Sequence, residues 1–120
     1  MLLKVDPSAS EPLFSQLAGS LRAAIATGSV TDGERLPTAK VLATSLDVNV
    51  HTVLRAYQVL RDEGLIELRR GRGAVVSSRA HEWTTLHEAL KVVVAESNRL
   101  GMSHDATTSL LRSALKEEMS

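Results

Sequence analysis

The spacing of apolar residues changes at Gly64, and this change restricts the fold more than any other feature of the 120-residue chain. Before Gly64, apolar residues recur every three or four positions, which is the period of a helix with one buried face. After it, Leu65–Arg69 and Ala74–Ser77 are short β-like runs on either side of the sequence Arg70-Gly71-Arg72-Gly73. Three helices followed by a hairpin with a basic tip predict a winged helix-turn-helix domain.

Turn signals divide the part of the chain before the hairpin into three predicted helices. The first is predicted over about residues 12–27, and the second over about residues 38–46 with Thr38 as its N-cap. The third begins at Asn49 or Val50, after a tight turn, and a glycine follows both the first and the third helix. The winged domain is therefore assigned to residues 1–80.

The helical period returns in residues 81–120, which predict a fourth helix from about Glu82 and a fifth helix capped by Ser103. Two helices cannot by themselves enclose a ligand pocket of ordinary size, yet their apolar faces must be buried. We favour a symmetric homodimer, with two recognition helices about 34 Å apart, over helices that fold back on their own domain. The predicted interface consists of Leu86, Leu90, Val93, Val94, Leu100, Leu110, Leu111, Ala114 and Leu115. The predicted fold is mainly α with a small β wing.

Composition excludes several classes of function. The absence of cysteine excludes disulfides and thiolate chemistry, and it suits a cytoplasmic protein. No apolar run approaches the ~20 residues of a membrane span, so no membrane partner is expected. No metal or other cofactor is expected, because the four histidines lack ligand spacing and no nucleotide-binding loop is present. No nucleophile motif is present either, so the chain is not predicted to be an enzyme.

The start of the third helix carries the residues best suited to reading DNA bases. An asparagine can pair with adenine, an arginine with guanine, and a valine or threonine can touch a thymine methyl group. The alternative interpretation is that these are ordinary solvated residues and that Asn49 is only a helix cap. The candidate base readers are Asn49, Val50, His51, Thr52 and Arg55.

Two further segments suit contact with phosphate. Glycines and clustered guanidinium groups at the hairpin tip suit a phosphate or a narrow minor groove, although a solvated tip would have the same composition. A hydroxyl and a cation at the start of the second helix also suit a phosphate, although Thr38 alone could be only a cap. The candidate phosphate contacts are Arg35, Thr38, Lys40, Arg70, Gly71, Arg72 and Gly73.

The segment from Pro12 to Val76 resembles the GntR-type DNA-binding domain. The resemblance rests on PLFSQL, followed by ATGSVTDGERLPTAKVLATSLDVNVHTVLRAYQVLRDEGLIELRRGRGAVV. The stretch Val-Asn-x-x-Thr-Val-x-x-Ala-Tyr and the short tail resemble the YtrA-like branch, which implies a small dimeric repressor, often of a transporter operon. The resemblance also implies DNA contacts from Lys40, Asn49, His51, Thr52, Arg55 and the wing.

The expected function is therefore that of a sequence-specific regulator that binds double-stranded operator DNA as a homodimer. One alternative is a winged-helix module that binds proteins and has no affinity for DNA, and the formal net charge of zero is its only support. Another is a sensor gated by a metal or by an unknown small-molecule effector held at the dimer interface. Such a sensor would release DNA when its ligand binds.

Overall fold

The computed structural model describes residues 3–71 and 73–119, and the chain divides into two compact units, one ending at His87 and the other beginning at Glu88. The described residues form five helices and one antiparallel hairpin, which confirms the predicted mainly α fold with a small β wing. The elements are α1 Leu13–Ala26, α2 Ala39–Leu46, α3 Val50–Asp62, β1 Ile66–Arg69, β2 Gly73–Val76, α4 Glu82–Arg99 and α5 His104–Met119.

The core of the first unit lies between α1 and α3, because both helices present an aliphatic stripe at helical spacing. Leu17 and Leu21 of α1, and Val53 and Leu60 of α3, are fully buried. Burial of a side chain of this size contributes about 1.5–3 kcal/mol relative to exposure. These four side chains therefore fix α3 against α1. Helix α2 also packs against α3.

Side-chain caps fix the ends of the helix-turn-helix. The amide of Val41 donates to Thr38 Oγ1 at 3.2 Å, and the amide of His51 donates to Asn49 Oδ1 at 2.8 Å. Thr38 therefore caps α2 as predicted, and Asn49 caps α3, which was the alternative interpretation of its role. Between them, Asp47 ends α2 in the left-handed conformation with φ of 55°, which turns the chain sharply into α3.

The wing contains a third extended segment that the sequence pattern did not predict. Residues 33–36 run beside β2, where the amide of Gly33 donates to the Val76 carbonyl and the amide of Leu36 to the Ala74 carbonyl, both at 2.9 Å. Arg35 forms an isolated bridge with Val75. The loop before α2 is therefore hydrogen-bonded to the hairpin, so the start of α2 has a fixed position beside the wing.

The second unit is a helical hairpin whose two helices make few contacts with each other. Ser103 caps α5 as predicted, accepting from the amide of Ala106 at 3.0 Å. Near the turn, the hydroxyls of Ser97 and Thr107 share a hydrogen bond. An open groove of about 370 Å³ with apolar walls remains between α4 and α5 within this unit. None of the described helices is long and apolar enough to cross a membrane.

Candidate nucleic-acid interface

The outward face of α3 lies opposite its buried stripe. Val53, Ala56, Tyr57 and Leu60 are buried, whereas four side chains at helical spacing on the other face are exposed. Those exposed residues are His51, Leu54, Arg55 and Gln58. Two of them were predicted as base readers.

The remaining predicted base readers take positions at the start of α3. The side chain of Asn49 is occupied as the helix cap, and its residue stays exposed. Val50 and Thr52 are half-buried, and Val50 packs against the core. Asn49 and Val50 therefore stabilise the start of α3.

Tyr57 fixes the angle between α3 and the segment that precedes α2. Its ring is 3% exposed, and its hydroxyl donates to the carbonyl oxygen of Pro37 at 2.6 Å. Burial raises the pKa of Tyr57 to about 12, because the ionised phenolate would be poorly solvated there. The hydrogen bond therefore persists at neutral pH and holds Thr38 near α3.

Two surface grooves bring four of the predicted phosphate contacts, Thr38, Lys40, Arg70 and Gly73, beside α3. The first, of about 330 Å³, is lined by Thr38, Leu54, Arg70 and Gly73, and it lies between the helix-turn-helix and the wing. The second is lined by Lys40 and other residues of α2, by the turn between α2 and α3, and by Val50 of α3. Arg70 and Gly71 form the exposed tip of the hairpin, where Gly71 has φ of 80°, a conformation that suits glycine. Arg72, also predicted here, lies outside the described residues.

The cations of the first unit divide into a paired and an unpaired set. Four arginines have carboxylate partners: Arg22 with Glu63, Arg61 with Asp62, Arg69 with Glu67, and Arg79 with Glu82. Among the residues that the structure describes, no carboxylate pairs with Lys4, Arg35, Lys40, Arg55 or Arg70. Four of these five were predicted to contact DNA. Unpaired cations are available to phosphate without first breaking an internal ion pair.

Comparison with known proteins identifies the family. The family model described as bacterial regulatory proteins, gntR family, matches residues 13–76, which run from the start of α1 to the end of β2. The chain belongs to the GntR family. The match covers the whole helix-turn-helix and the wing, which are the elements that carry the candidate interface.

Similar proteins agree with the assignment to the GntR family. The HTH-type transcriptional repressor YtrA of Bacillus subtilis is 31% identical over 107 residues, covering 84% of this chain and 82% of that protein. The structure of YtrA from Sulfolobus acidocaldarius, a GntR-family transcription factor, has 34% identity and a TM-score of 0.61, covering 76% of this chain and 99% of that one. The DNA-binding domain of AraR, solved in complex with an operator, has 25% identity and a TM-score of 0.56, covering 62% of this chain and 93% of that one.

The family assignment makes this protein a DNA-binding transcription regulator and does not favour the protein-interaction alternative. The relatives named above are regulators of transcription.

Two exposed residues on the outward face of α3 were missed by the sequence analysis. Leu54 is 40% exposed, and it lines the groove beside the wing, where an apolar side chain suits a thymine methyl group or a deoxyribose. Gln58 is exposed one turn beyond it. Counting three positions on from His51 would have found Leu54, and three positions on from Arg55 would have found Gln58, because the helical period continues past Arg55.

Proposed function

We propose that this GntR-family protein is a homodimeric repressor that binds a pseudo-palindromic operator of a small, transporter-encoding operon. Each protomer contacts its half-site through the outward face of α3 and through the wing tip. The protein acts in the cytoplasm, and it acts by binding DNA rather than by catalysis.

The observation that carries the DNA contact is the unpaired set of cations. Arg35 and Lys40 flank the start of α2, Arg55 lies on α3, and Arg70 lies at the wing tip. Arg22 of α1 and Arg79, just before α4, instead have carboxylate partners that offset their charge. A chain with zero formal net charge can therefore still present local positive charge to phosphate.

The dimer is supported by the apolar surface of α4 and α5. Val94 is 55% exposed and Leu110 is 63% exposed, and large side chains at helical spacing are rarely left in water in such number. The two helices make few contacts with each other, so the hairpin does not bury these faces by itself. Every residue of the predicted interface is exposed, namely Leu86, Leu90, Val93, Val94, Leu100, Leu110, Leu111, Ala114 and Leu115. A second copy of the hairpin would cover them symmetrically.

Repression and operator binding are supported by the relatives. The YtrA protein of Bacillus subtilis is named as a transcriptional repressor, and the AraR domain was solved on an operator. A dimer carries two copies of α3, which suits the two half-sites of a pseudo-palindrome.

The test is binding of the full-length protein to the DNA duplex directly upstream of its own gene, measured by fluorescence anisotropy at several salt concentrations. We expect selective binding, with log K falling against log salt by roughly 0.9 for each phosphate contact. Weak binding that is equal for unrelated duplexes would contradict the proposal.

A pair of charge-matched variants assigns the contacts. Arg70→Ala should reduce the salt slope by about 1, because it removes one phosphate contact. Arg79→Ala removes the same charge from an arginine already paired with Glu82, so it should leave the slope unchanged. Equal effects of the two variants would show that only net charge matters, and that the wing tip has no specific contact.

A further inference from the structure

Arg55 is held differently from the paired arginines of this chain. Its Cζ lies 3.7 Å from the centroid of the Phe14 ring, on the face of that ring. Phe14 is the only phenylalanine of the chain, and it lies in the first turn of α1. The contact therefore joins the outward face of α3 to a different helix of the same domain.

Stacking on a ring leaves the hydrogen-bonding groups of a guanidinium free. The aromatic face contacts the flat side of the guanidinium, whereas its N–H donors point outward in the plane. A carboxylate partner would occupy those donors, as Glu63 does for both Nε and Nη2 of Arg22. Among the described residues, no acceptor binds Arg55. Its side chain is thus restricted in position and still able to donate.

Phe14 is not part of the hydrophobic core. It is half-buried, and among the described residues the partly buried apolar side chains that pack against the core do not include it. Its neighbours in α1, Leu17 and Leu21, supply the buried contacts of that helix instead. A large aromatic ring at this position therefore needs an explanation other than core packing.

We propose that Phe14 is a positioning residue that prepares Arg55 to read a guanine. The ring holds the guanidinium in one orientation before DNA arrives, so that two edge donors can meet O6 and N7 of the base. Less side-chain freedom is then lost on binding. This inference rests on the proposed function, because it requires α3 to lie in the major groove.

The test compares base preference in full-length variants, using duplexes that the wild-type protein enriches from a randomised library. Arg55→Ala should relax the preference at one base pair in each half-site. Phe14→Leu should relax the same base pair and weaken binding of the enriched duplex by about three- to tenfold. Phe14→Tyr keeps the aromatic face and should therefore retain the wild-type base preference.

A double variant separates positioning from loss of packing. If the ring acts through Arg55, Phe14→Leu should have no further effect on affinity once Arg55 is alanine. Leu13→Ala is the matched control, because it removes an apolar side chain from the same turn of α1 and should not alter base preference. An NMR spectrum of the free protein gives a readout without DNA, because Phe14→Leu should remove the ring-current shift of the Arg55 side-chain protons.

Three results would overturn the inference, and each has a different meaning. An equal effect of Phe14→Leu in the wild-type and Arg55→Ala backgrounds would show that the ring acts by packing alone. An unchanged base preference in Arg55→Ala would show that Arg55 reads no base, while DNA binding by the protein would stand. Failure of the wild-type protein to enrich any sequence would contradict the proposed function itself.

Discussion

Asp47 is the only non-glycine residue in the described part of the chain with a positive φ, and it forms the turn between α2 and α3. The left-handed conformation costs an L-residue about 1–2 kcal/mol of conformational free energy, although a short polar side chain reduces this penalty. Glycine avoids this penalty. It also gives the unfolded chain more conformational freedom, which lowers the free energy of unfolding by about 0.4–1 kcal/mol.

We therefore expect Asp47→Gly to raise the free energy of unfolding by about 0.5 kcal/mol, measured by urea denaturation. Asp47→Ala is the control, because it keeps the Cβ and loses the polar side chain, so it should be less stable than the wild type. A less stable Asp47→Gly variant would mean that contacts of the carboxylate, rather than backbone strain, dominate at this turn.

His81 provides a second test at the scale of one residue. Its Nδ1 lies 3.0 Å from Asp32 Oδ2 and 2.9 Å from the Ser78 carbonyl oxygen. The hydrogen bond to Asp32, followed by that to Ser78, raises the pKa of His81 above its ordinary value of about 6.5. The folded state therefore binds this proton more tightly than the unfolded state does.

The stabilisation from His81 should accordingly be complete below pH 6.5 and disappear as the pH rises through the raised pKa. An NMR titration of the imidazole measures this pKa directly, and Asp32→Asn should lower it. If the pKa of His81 is the same in that variant, the ion pair with Asp32 does not persist in solution.

At the scale of elements, the hydrogen bond from Tyr57 joins α3 to the loop before α2. Tyr57→Phe keeps the buried ring and leaves the Pro37 carbonyl without this partner, which should lower the free energy of unfolding by about 1 kcal/mol at pH 7. The same substitution should weaken DNA binding, because the position of α2 relative to α3 is then less restricted.

The contribution of Tyr57 also depends on pH in a defined direction. Its folded pKa of about 12 is raised above the ordinary value of about 10, so its stabilising effect is complete below pH 10. The effect should decrease between pH 10 and pH 12, because the unfolded chain loses the proton first. Because Tyr57 is the only tyrosine, its ionisation can be followed by absorbance, and Tyr57→Phe is the blank. Ionisation near pH 10 in the folded protein would contradict the buried hydrogen bond.

The helices and the hairpin could be predicted because each depends on a local pattern. Thr38, Asn49 and Ser103 could likewise be assigned as caps, since a cap and the helix it serves are adjacent in sequence. The pairing of residues 33–36 with β2 could not be predicted, because that segment lacks alternation and its partner lies about 40 residues away. The contact between Phe14 and Arg55 depends on how α1 packs on α3, which no local pattern specifies.

At the scale of the whole molecule, the proposed function requires two copies of the chain to associate. The first unit contains its own core, whereas the hairpin of α4 and α5 leaves most of its large apolar side chains exposed. Dimerisation would therefore complete the folding of the second unit. It would also double the DNA contacts, since two half-sites are then bound by one particle.

Leu90 and Val94 of α4 test this coupling. Val94→Asp, or Leu90→Asp, would place a carboxylate without a partner in the proposed interface, and each dimer would contain two copies of it. Association should weaken by more than about a hundredfold, which corresponds to roughly 3 kcal/mol. Ala95→Asp is the matched control, because Ala95 is exposed and, by helical period, lies away from this stripe.

Sedimentation velocity should find the wild type and Ala95→Asp as dimers and Val94→Asp as a monomer. The monomer should bind a full operator far more weakly than the wild type, yet bind an isolated half-site equally well, because the first unit is unchanged. A Val94→Asp protein that remains dimeric would show that the interface lies elsewhere. A monomer that binds the full operator as tightly as the wild type would show that α4 and α5 are not needed for recognition.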